Sequence, residues 1–323
     1  MKAIRFRELG PPEVLTVDEV EKPRPGAGEV LVKIHVAGVN FADTMLRRGV
    51  YITKPNFPET PGFEASGTVE EVGSGSDPAL IGRRVAVLGA KCYAEYATVP
   101  ANQLLFLPDQ ISFEDGAAFP VQSLTAYHLL YTADHVKPGM TVVVHAAAGG
   151  VGLQLIQMAR QAGARVFGTT STEDKAKLAR QMGADEVILY NQTDFAARLL
   201  ELTGGRGVDL ILDSVGKATF PGSLKALAPF GHLISYGFAS GPAETLSIAG
   251  LYEKSIKVSA FWLFTLSRFP ELMQESVRRV TEWMVSGKLK MIVGLRLPLA
   301  EAATAHRKME GRETAGKILL KVG

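Results

Sequence analysis

Between Thr141 and Leu227 short apolar runs alternate with segments of helical spacing, and this alternation limits the fold more than any other feature of the chain. Thr141-Val142-Val143-Val144-His145 reads as a buried strand, a glycine-rich turn follows, and Leu153 to Ala162 repeats apolar residues at helical intervals. The unit recurs as Arg165 to Thr169 with Glu173 to Met182, as Glu186 to Leu189 with Phe195 to Leu202, and as Val208 to Leu212 with Ala218 to Leu227. Strands and helices in this rhythm predict a parallel, doubly wound sheet with right-handed crossovers. His232 to Tyr236 and Ile256 to Ala260 supply further strands, so that about six complete the sheet before Phe261.

The residues before this region follow a different grammar. Ala3 to Phe6, Glu29 to Val36, Gly67 to Val72, Gly82 to Val87 and Ala94 to Val99 are short, rich in β-branched residues and bounded by Pro and Gly, which suits a partly closed barrel. After Phe261 the chain returns to helices, Glu271 to Val285 and Leu299 to Met309, and ends on a strand, Lys317 to Lys321. This tail is expected to pack back onto the N-terminal body. The reading is therefore α/β, with a discontinuous β-rich domain of residues 1–122 and 263–323 and a doubly wound domain of residues 123–262 inserted in it.

A chain of 323 residues is long enough for two cores. Its 35 Lys and Arg against 33 Asp and Glu leave a net charge of +2 without long blocks of either sign, so a general electrostatic grip on nucleic acid or anionic lipid is not expected. The single cysteine, Cys92, excludes an intrachain disulfide and a cysteine-rich zinc lobe. Neither an apolar leader nor a membrane-length apolar run is present, and a cytoplasmic, reducing location is expected.

Ala147-Ala148-Gly149-Gly150-Val151-Gly152 joins the first strand of the alternating region to its helix. It reads as A-x-G-x-x-G, with Ala147 where a dinucleotide fingerprint has its first glycine. Gly149 and Gly150 leave backbone bare for a pyrophosphate, Gly152 lets the helix lie close to the sheet, and the first amides of the helix face the anion. At the tip of the next strand, Thr169-Thr170-Ser171-Thr172 offers hydroxyls instead of a carboxylate, and Lys175 follows one turn into the helix. That arrangement favours a ribose 2′-phosphate, hence NADPH; the alternative is a ribose hydroxyl on Glu173 or Asp174 with Lys175 solvated.

Gly38-Val39-Asn40-Phe41-Ala42-Asp43, Gly62-Phe63-Glu64-Ala65-Ser66-Gly67, the turn after His145, Asp213-Ser214-Val215-Gly216 and the closing Thr314 to Leu320 together resemble the medium-chain dehydrogenase/reductase superfamily, and within it the zinc-independent quinone oxidoreductase branch. The resemblance spans essentially the whole chain. It implies a GroES-like β-rich catalytic domain beside a Rossmann domain. In the zinc-dependent relatives the positions of Asn40 and Phe63 carry a cysteine and a histidine that bind the metal; an amide and a phenyl ring provide neither thiolate nor imidazole. The histidines, His35, His128, His135, His145, His232 and His306, show no close metal-ligand spacing and read as structural or solvated, with His128 the exception that the resemblance places near the cofactor.

The resemblance also implies roles. Asn40, Phe41 and Asp43 lie at the nicotinamide end, with Asp43 ordering its loop rather than acting as a base. Tyr51 lines the acceptor pocket, either donating to a developing oxyanion or forming an aromatic wall with solvent as the proton source. Met45 stands where some relatives have another tyrosine. Thr125 and His128 approach the cofactor; Gly149, Gly150 and Val151 meet the pyrophosphate; Ser171, Thr172 and Lys175 hold the 2′-phosphate with help from Tyr190. Val215, Gly237, Phe238 and Ala239 border the adenine or nicotinamide ribose. Arg312 matches a cofactor-contacting arginine, its alternative being a surface charge near a turn. The strand Ile256 to Ala260 is an edge that pairs across a homodimer.

Without a Lewis acid to polarise a simple carbonyl, the expected acceptor is activated by conjugation: a quinone or an α,β-unsaturated carbonyl compound, reduced by hydride from NADPH. Two other readings stand beside it, an enoyl-thioester reductase and a non-enzymatic NADPH-binding sensor, structural protein or RNA binder.

Overall fold

The chain divides at Gln122 and Val277, with Met1–Gln122 and Val277–Gly323 forming one unit and Ser123–Ser276 the other. The computed structural model describes residues 1–89, 91–243 and 246–323. The expected return at 263 and the observed return at Val277 do not coincide. Leu263 and Leu266 are buried in a 3-10 segment, Leu263–Arg268, that stays with Ser123–Ser276. The end of a strand is legible in a sequence; the body on which the next apolar turn packs is not.

The N-terminal unit begins with an antiparallel pair, β1 (Lys2–Arg5) and β2 (Thr16–Glu19). Its main sheet is organised by β3 (Glu29–Val39), which is buried along most of its length because it is flanked on both edges. The helix α1 (Phe41–Arg47) follows β3 directly. One edge of β3 pairs with β4 (Glu64–Val72), which in turn pairs with β5 (Arg84–Leu88). The first half of the other edge takes β6 (Tyr96–Pro100), and β7 (Leu105–Phe106) closes on β5. The core beneath includes Ile4, Phe6, Val32, Ile34, Val69, Val87, Tyr93 and Ile318. Helix α2 (Phe113–His128) then leads the chain out of this unit. Its Gly116 and Pro120 read as helix breakers in the sequence. Gly116 packs closely instead, since a Cβ there would lie 2.5 Å from a Leu107 methyl.

The inserted unit follows the predicted alternation closely. Its elements are β8 (Thr141–Val144), α3 (Gly150–Gln161), β9 (Arg165–Thr170), α4 (Glu173–Gln181), β10 (Glu186–Leu189), α5 (Phe195–Leu202), β11 (Val208–Asp213), α6 (Phe220–Ala226), β12 (Leu227–Ser235) and β13 (Lys257–Ala260). All its pairings are parallel, in the order β10-β9-β8-β11-β12-β13. Numbered along the sheet this is 3-2-1-4-5-6, the doubly wound order that opens a crevice at the carboxyl ends of its first and fourth strands. Val143, Phe167, Ile188, Leu199, Ile211 and Leu233 fill the core.

Helix α7 (Pro270–Val285) carries the chain back, followed by β14 (Val293–Pro298), α8 (Ala302–Glu310) and β15 (Lys317–Lys321). Strand β15 occupies the second half of the free edge of β3, with Ile318 opposite Val39, while β4 sets Glu64 opposite Gly38. Two independent registers thus bring Asn40, Glu64 and Lys317 together at one end of the sheet.

Candidate functional site

In the inserted unit the glycine-rich turn is held by the backbone, with the Gly149 N–H donating to the Ala146 carbonyl at 2.8 Å. Ala146 takes a left-handed φ of 52°, so the strained residue of the turn is an alanine outside the fingerprint itself. Gly152 is fixed by space: a Cβ there would stand 2.5 Å from the Ala146 oxygen and 2.8 Å from the Ala147 oxygen. Ala147, which replaces the first glycine, is accommodated from the neighbouring strand. A Cβ on Gly168 would meet the Ala147 methyl at 2.7 Å, so the glycine on β9 provides the room that the turn gives up. No acidic residue enters the first turn of α3 and no side chain caps Gly149, which leaves the helix amides open to an anion.

The same carboxyl ends gather the other expected cofactor residues of this unit. Tyr190 N–H donates to the Thr170 carbonyl at 3.1 Å, placing Tyr190 beside Ser171. Thr172 caps α4 by accepting the Lys175 N–H at 3.4 Å, a structural role in addition to the expected one. Asp213, fully buried at the end of β11, accepts from the Val215 and Gly216 amides at 2.7 and 3.2 Å and from the Thr219 hydroxyl at 2.7 Å. Gly237 lies against this loop, since a Cβ there would be 3.0 Å from the Ser214 oxygen, and the Ala239 amide donates to that same oxygen. Val215, Gly237, Phe238 and Ala239 therefore share one rim.

His128 ends α2, and a π-helical turn, Leu129–Ala133, begins beside it. Thr125, three residues earlier, is buried as well. The His128 imidazole is buried; its Nδ1 is 2.9 Å from the Thr132 hydroxyl, and its Nε2 has no hydrogen-bond partner among the described residues. Burial pushes its pKa down to about 4, so the ring is neutral at ordinary pH. A buried, unpartnered ring nitrogen is costly, and a bound ligand is one way to satisfy it.

In the other unit the expected residues Asn40, Phe41, Asp43 and Tyr51 sit on and after α1. Asn40 and Asp43 form a capping box, with the Asn40 N–H donating to the Asp43 carboxylate at 2.8 Å. Asp43 also accepts from the Gly62 N–H and the Tyr93 hydroxyl, each at 3.2 Å. Burial pushes its carboxyl up to about 7 against the Asn40 N–H, the Lys317 charge and the Tyr93 hydroxyl, with Glu64 adding to the rise. Behind Tyr93, His306 Nε2 lies 3.2 Å from the phenol oxygen and His306 Nδ1 lies 3.2 Å from an Arg47 nitrogen. Guanidinium can only donate, so Nδ1 accepts; burial pushes this imidazole down to about 3, and the neutral ring carries its proton on Nε2. The donors therefore run one way, from Arg47 through His306 and Tyr93 to Asp43.

Asn40 is held a second time. Its Oδ1 accepts from the Lys317 ammonium at 2.8 Å, and its Nδ2 donates to Glu64 at 2.8 Å. Lys317 pairs directly with Glu64, both fully or almost fully buried, and the other Glu64 oxygen accepts the Val121 N–H at 2.7 Å. Gly38 makes room for this pair, since a Cβ there would lie 2.7 Å from Glu64 Cγ. Tyr51 packs on Phe63 with ring centroids 5.3 Å apart, whereas Met45 is buried within the unit. Arg312 follows α8 with a left-handed φ of 58°; its N–H donates to Met309 O and the next N–H to Lys308 O, the Schellman pattern in which glycine is the usual occupant. Sequence reasoning missed Glu64, Tyr93, His306, Arg47 and Lys317. The available signal was a charge inside each of two otherwise apolar or small-residue runs, at Glu64 and Lys317.

The family described as alcohol dehydrogenase GroES-like domain matches residues 26–109, and that described as zinc-binding dehydrogenase matches residues 150–278. The quinone oxidoreductase of Pseudomonas aeruginosa is 39% identical over 99% of both chains. The chain belongs to the quinone oxidoreductase family. A second relative, a 2-haloacrylate reductase of a Burkholderia species, is 37% identical over 98% of this chain and 97% of its own. The crystal structure of Escherichia coli quinone oxidoreductase complexed with NADPH matches at a TM-score of 0.94 and 36% identity, covering 99% of this chain and 100% of that one. As a family member the chain is an oxidoreductase, and its α/β fold is the expected GroES-like unit and Rossmann-type parallel sheet. Among the described residues no three His, Cys, Asp or Glu are grouped to hold a metal ion, and no helix is long and apolar enough to cross a membrane.

Proposed function

We propose that the protein is an NADPH-dependent reductase that passes a hydride to quinones or α,β-unsaturated carbonyl compounds without a metal. One observation carries this reading: Asn40, where zinc-dependent relatives have a cysteine, is an amide already committed to Lys317 and Glu64, and Phe63 is a phenyl ring. Polarisation of the acceptor must then come from its own conjugation and from hydrogen bonds. The names of the relatives support the class, a quinone reductase and a reductase of a halogenated acrylate.

Two features fit a dinucleotide: the cradle of Gly149, Gly150 and Gly152 at a helix start without a side-chain cap, and the His128 Nε2 that has no partner among the described residues. NADPH, when bound, supplies the hydride with its electron pair. The amides of Gly149, Gly150 and Val151 hold its pyrophosphate, and Ser171, Thr172, Lys175 and Tyr190 hold the 2′-phosphate. Val215, Gly237, Phe238 and Ala239 border the riboses, Thr125, His128, Asn40 and Phe41 the nicotinamide, and Arg312 a cofactor oxygen. Tyr51, against Phe63, lines the acceptor's side, and Asp43 fixes the start of α1. The deciding experiment measures NADPH oxidation with quinones, enones and simple aldehydes in the presence of a chelator. Turnover of conjugated acceptors only is expected; a strict zinc requirement, or no turnover, would reject the reading.

Two substitutions test the cofactor assignments. Lys175→Ala should weaken NADPH binding by about 10- to 100-fold, the worth of charge-assisted hydrogen bonds, and leave NADH unchanged. Equal losses in titrations of the two would remove Lys175 from the 2′-phosphate. Arg312→Gly should raise stability by about 1 kcal/mol, because glycine takes the left-handed position without strain, while weakening NADPH binding. Thermal unfolding and fluorescence titration read the two effects separately, and a stabilised variant with undiminished affinity would make Arg312 a surface charge. The exposed edge strand β13 supports a homodimer, and we place the protein in the cytoplasm.

A further inference from the structure

Asn40 is locked into one orientation by two partners of opposite chemistry. An ammonium can only donate, so the atom facing Lys317 is the amide oxygen; a carboxylate can only accept, so the atom facing Glu64 is the amide nitrogen. The assignment that is ambiguous for most asparagines is forced here. Of the two N–H bonds on Nδ2 one goes to Glu64, and the second has no partner among the described residues, on a residue that is only half-buried. Asn40 thus presents a donor to whatever lies beside it. That donor is strengthened by the Lys317 charge on the amide oxygen, in surroundings where Lys317 is 2% exposed and Glu64 not at all.

We infer that the free Asn40 N–H is an oxyanion donor, and that Lys317 is the positioning residue that orients and polarises it. The inference rests on the reductase reading above and names a further part of it. When a hydride adds to the conjugated carbon of the acceptor it brings both electrons, the double bond shifts toward the carbonyl, and negative charge gathers on the oxygen. Asn40 stabilises that oxygen until a proton from water completes the step, on carbon for an enone and on oxygen for a quinone, whose ring then becomes aromatic as the reduced carbon gives up a proton and the second oxygen takes one from water. The Lys317 charge, buried and unable to reach solvent, supplies at one remove the polarisation that a metal supplies in other dehydrogenases.

The test uses a stable mimic of the charged oxygen and needs no turnover. Para-nitrophenol, whose phenolate absorbs separately from the phenol, is titrated into the protein saturated with NADP⁺. Wild type should bind the phenolate about tenfold or more in preference to the phenol, the scale expected of an oxyanion donor. In Lys317→Met/Glu64→Gln, which removes both charges together, the preference should fall about tenfold while NADPH affinity and melting temperature change little. Asn40→Ser, which leaves the ion pair in place and guards against a double variant that fails to fold, should lose the preference to the same degree. An unchanged preference in either folded variant, or no preference in wild type, overturns the inference. Failure of the reductase reading would show differently, as absent turnover across the acceptor panel with the phenolate preference intact.

Discussion

Gly152→Ala is expected to remove about 2–3 kcal/mol of stability and to weaken NADPH binding by about 100-fold. The new Cβ would lie 2.5 Å from the Ala146 oxygen, 2.8 Å from the Ala147 oxygen and 2.9 Å from the Ala147 carbonyl carbon. All three are backbone atoms, so no side chain can swing aside. Ala146 is already left-handed and the turn is tied by its bond to Gly149, which leaves displacement of the start of α3 as the means of relief. Moving the helix moves the amides proposed to face the pyrophosphate, and hydrogen bonds to an anion tolerate little misplacement. Gly149→Ala is the control: its Cβ would meet only the Ala146 oxygen, at 3.1 Å, and a smaller loss of stability is expected. Thermal unfolding and NADPH fluorescence quenching measure both. A Gly152→Ala protein that melts and binds like wild type would show that the turn is looser than its contacts indicate.

The contrast between these glycines marks how far the sequence was legible. The strand, turn and helix around Gly152 could be read because each signal is local: apolar period, a glycine run, a helix start within a few residues. Helix α5 is observed over Phe195–Leu202, as its spacing predicted, for the same reason. The role of Gly168 could not be read, because its meaning depends on Ala147 in the turn that follows the adjacent strand. Helix α2 carries Gly116 and Pro120, both poor helix formers, and local propensity does not show that Gly116 faces Leu107. In the candidate site, Asn40 and Asp43 stood out as part of a motif, but their partners did not. Tyr93, His306 and Lys317 come from distant parts of the chain, and only the pairing of β3 with β4 and β15 shows that Glu64 and Lys317 share one end of a sheet.

That shared end gives the largest stability effect. Lys317→Met alone should cost about 3–5 kcal/mol, because it leaves the buried Glu64 carboxylate beside an amide and a methyl group with no charge to balance it. Adding Glu64→Gln should recover most of that loss. The neutral side chain keeps an oxygen for the Val121 N–H and fills nearly the same volume between Gly38 and Asn40, its amide nitrogen donating to an Asn40 oxygen that Lys317 no longer holds in place. Replacing a buried ion pair by neutral groups of similar size is commonly close to neutral, since the desolvation of two charges is recovered along with their attraction. The double-mutant cycle, read by denaturant unfolding, should therefore give a coupling of about 2 kcal/mol or more between residues 64 and 317. Additive effects would mean that water reaches the pair and screens it. A strong coupling has a second meaning for the site: if neutral groups support the fold nearly as well, stability alone does not account for a buried ammonium behind Asn40, and its charge on the amide does.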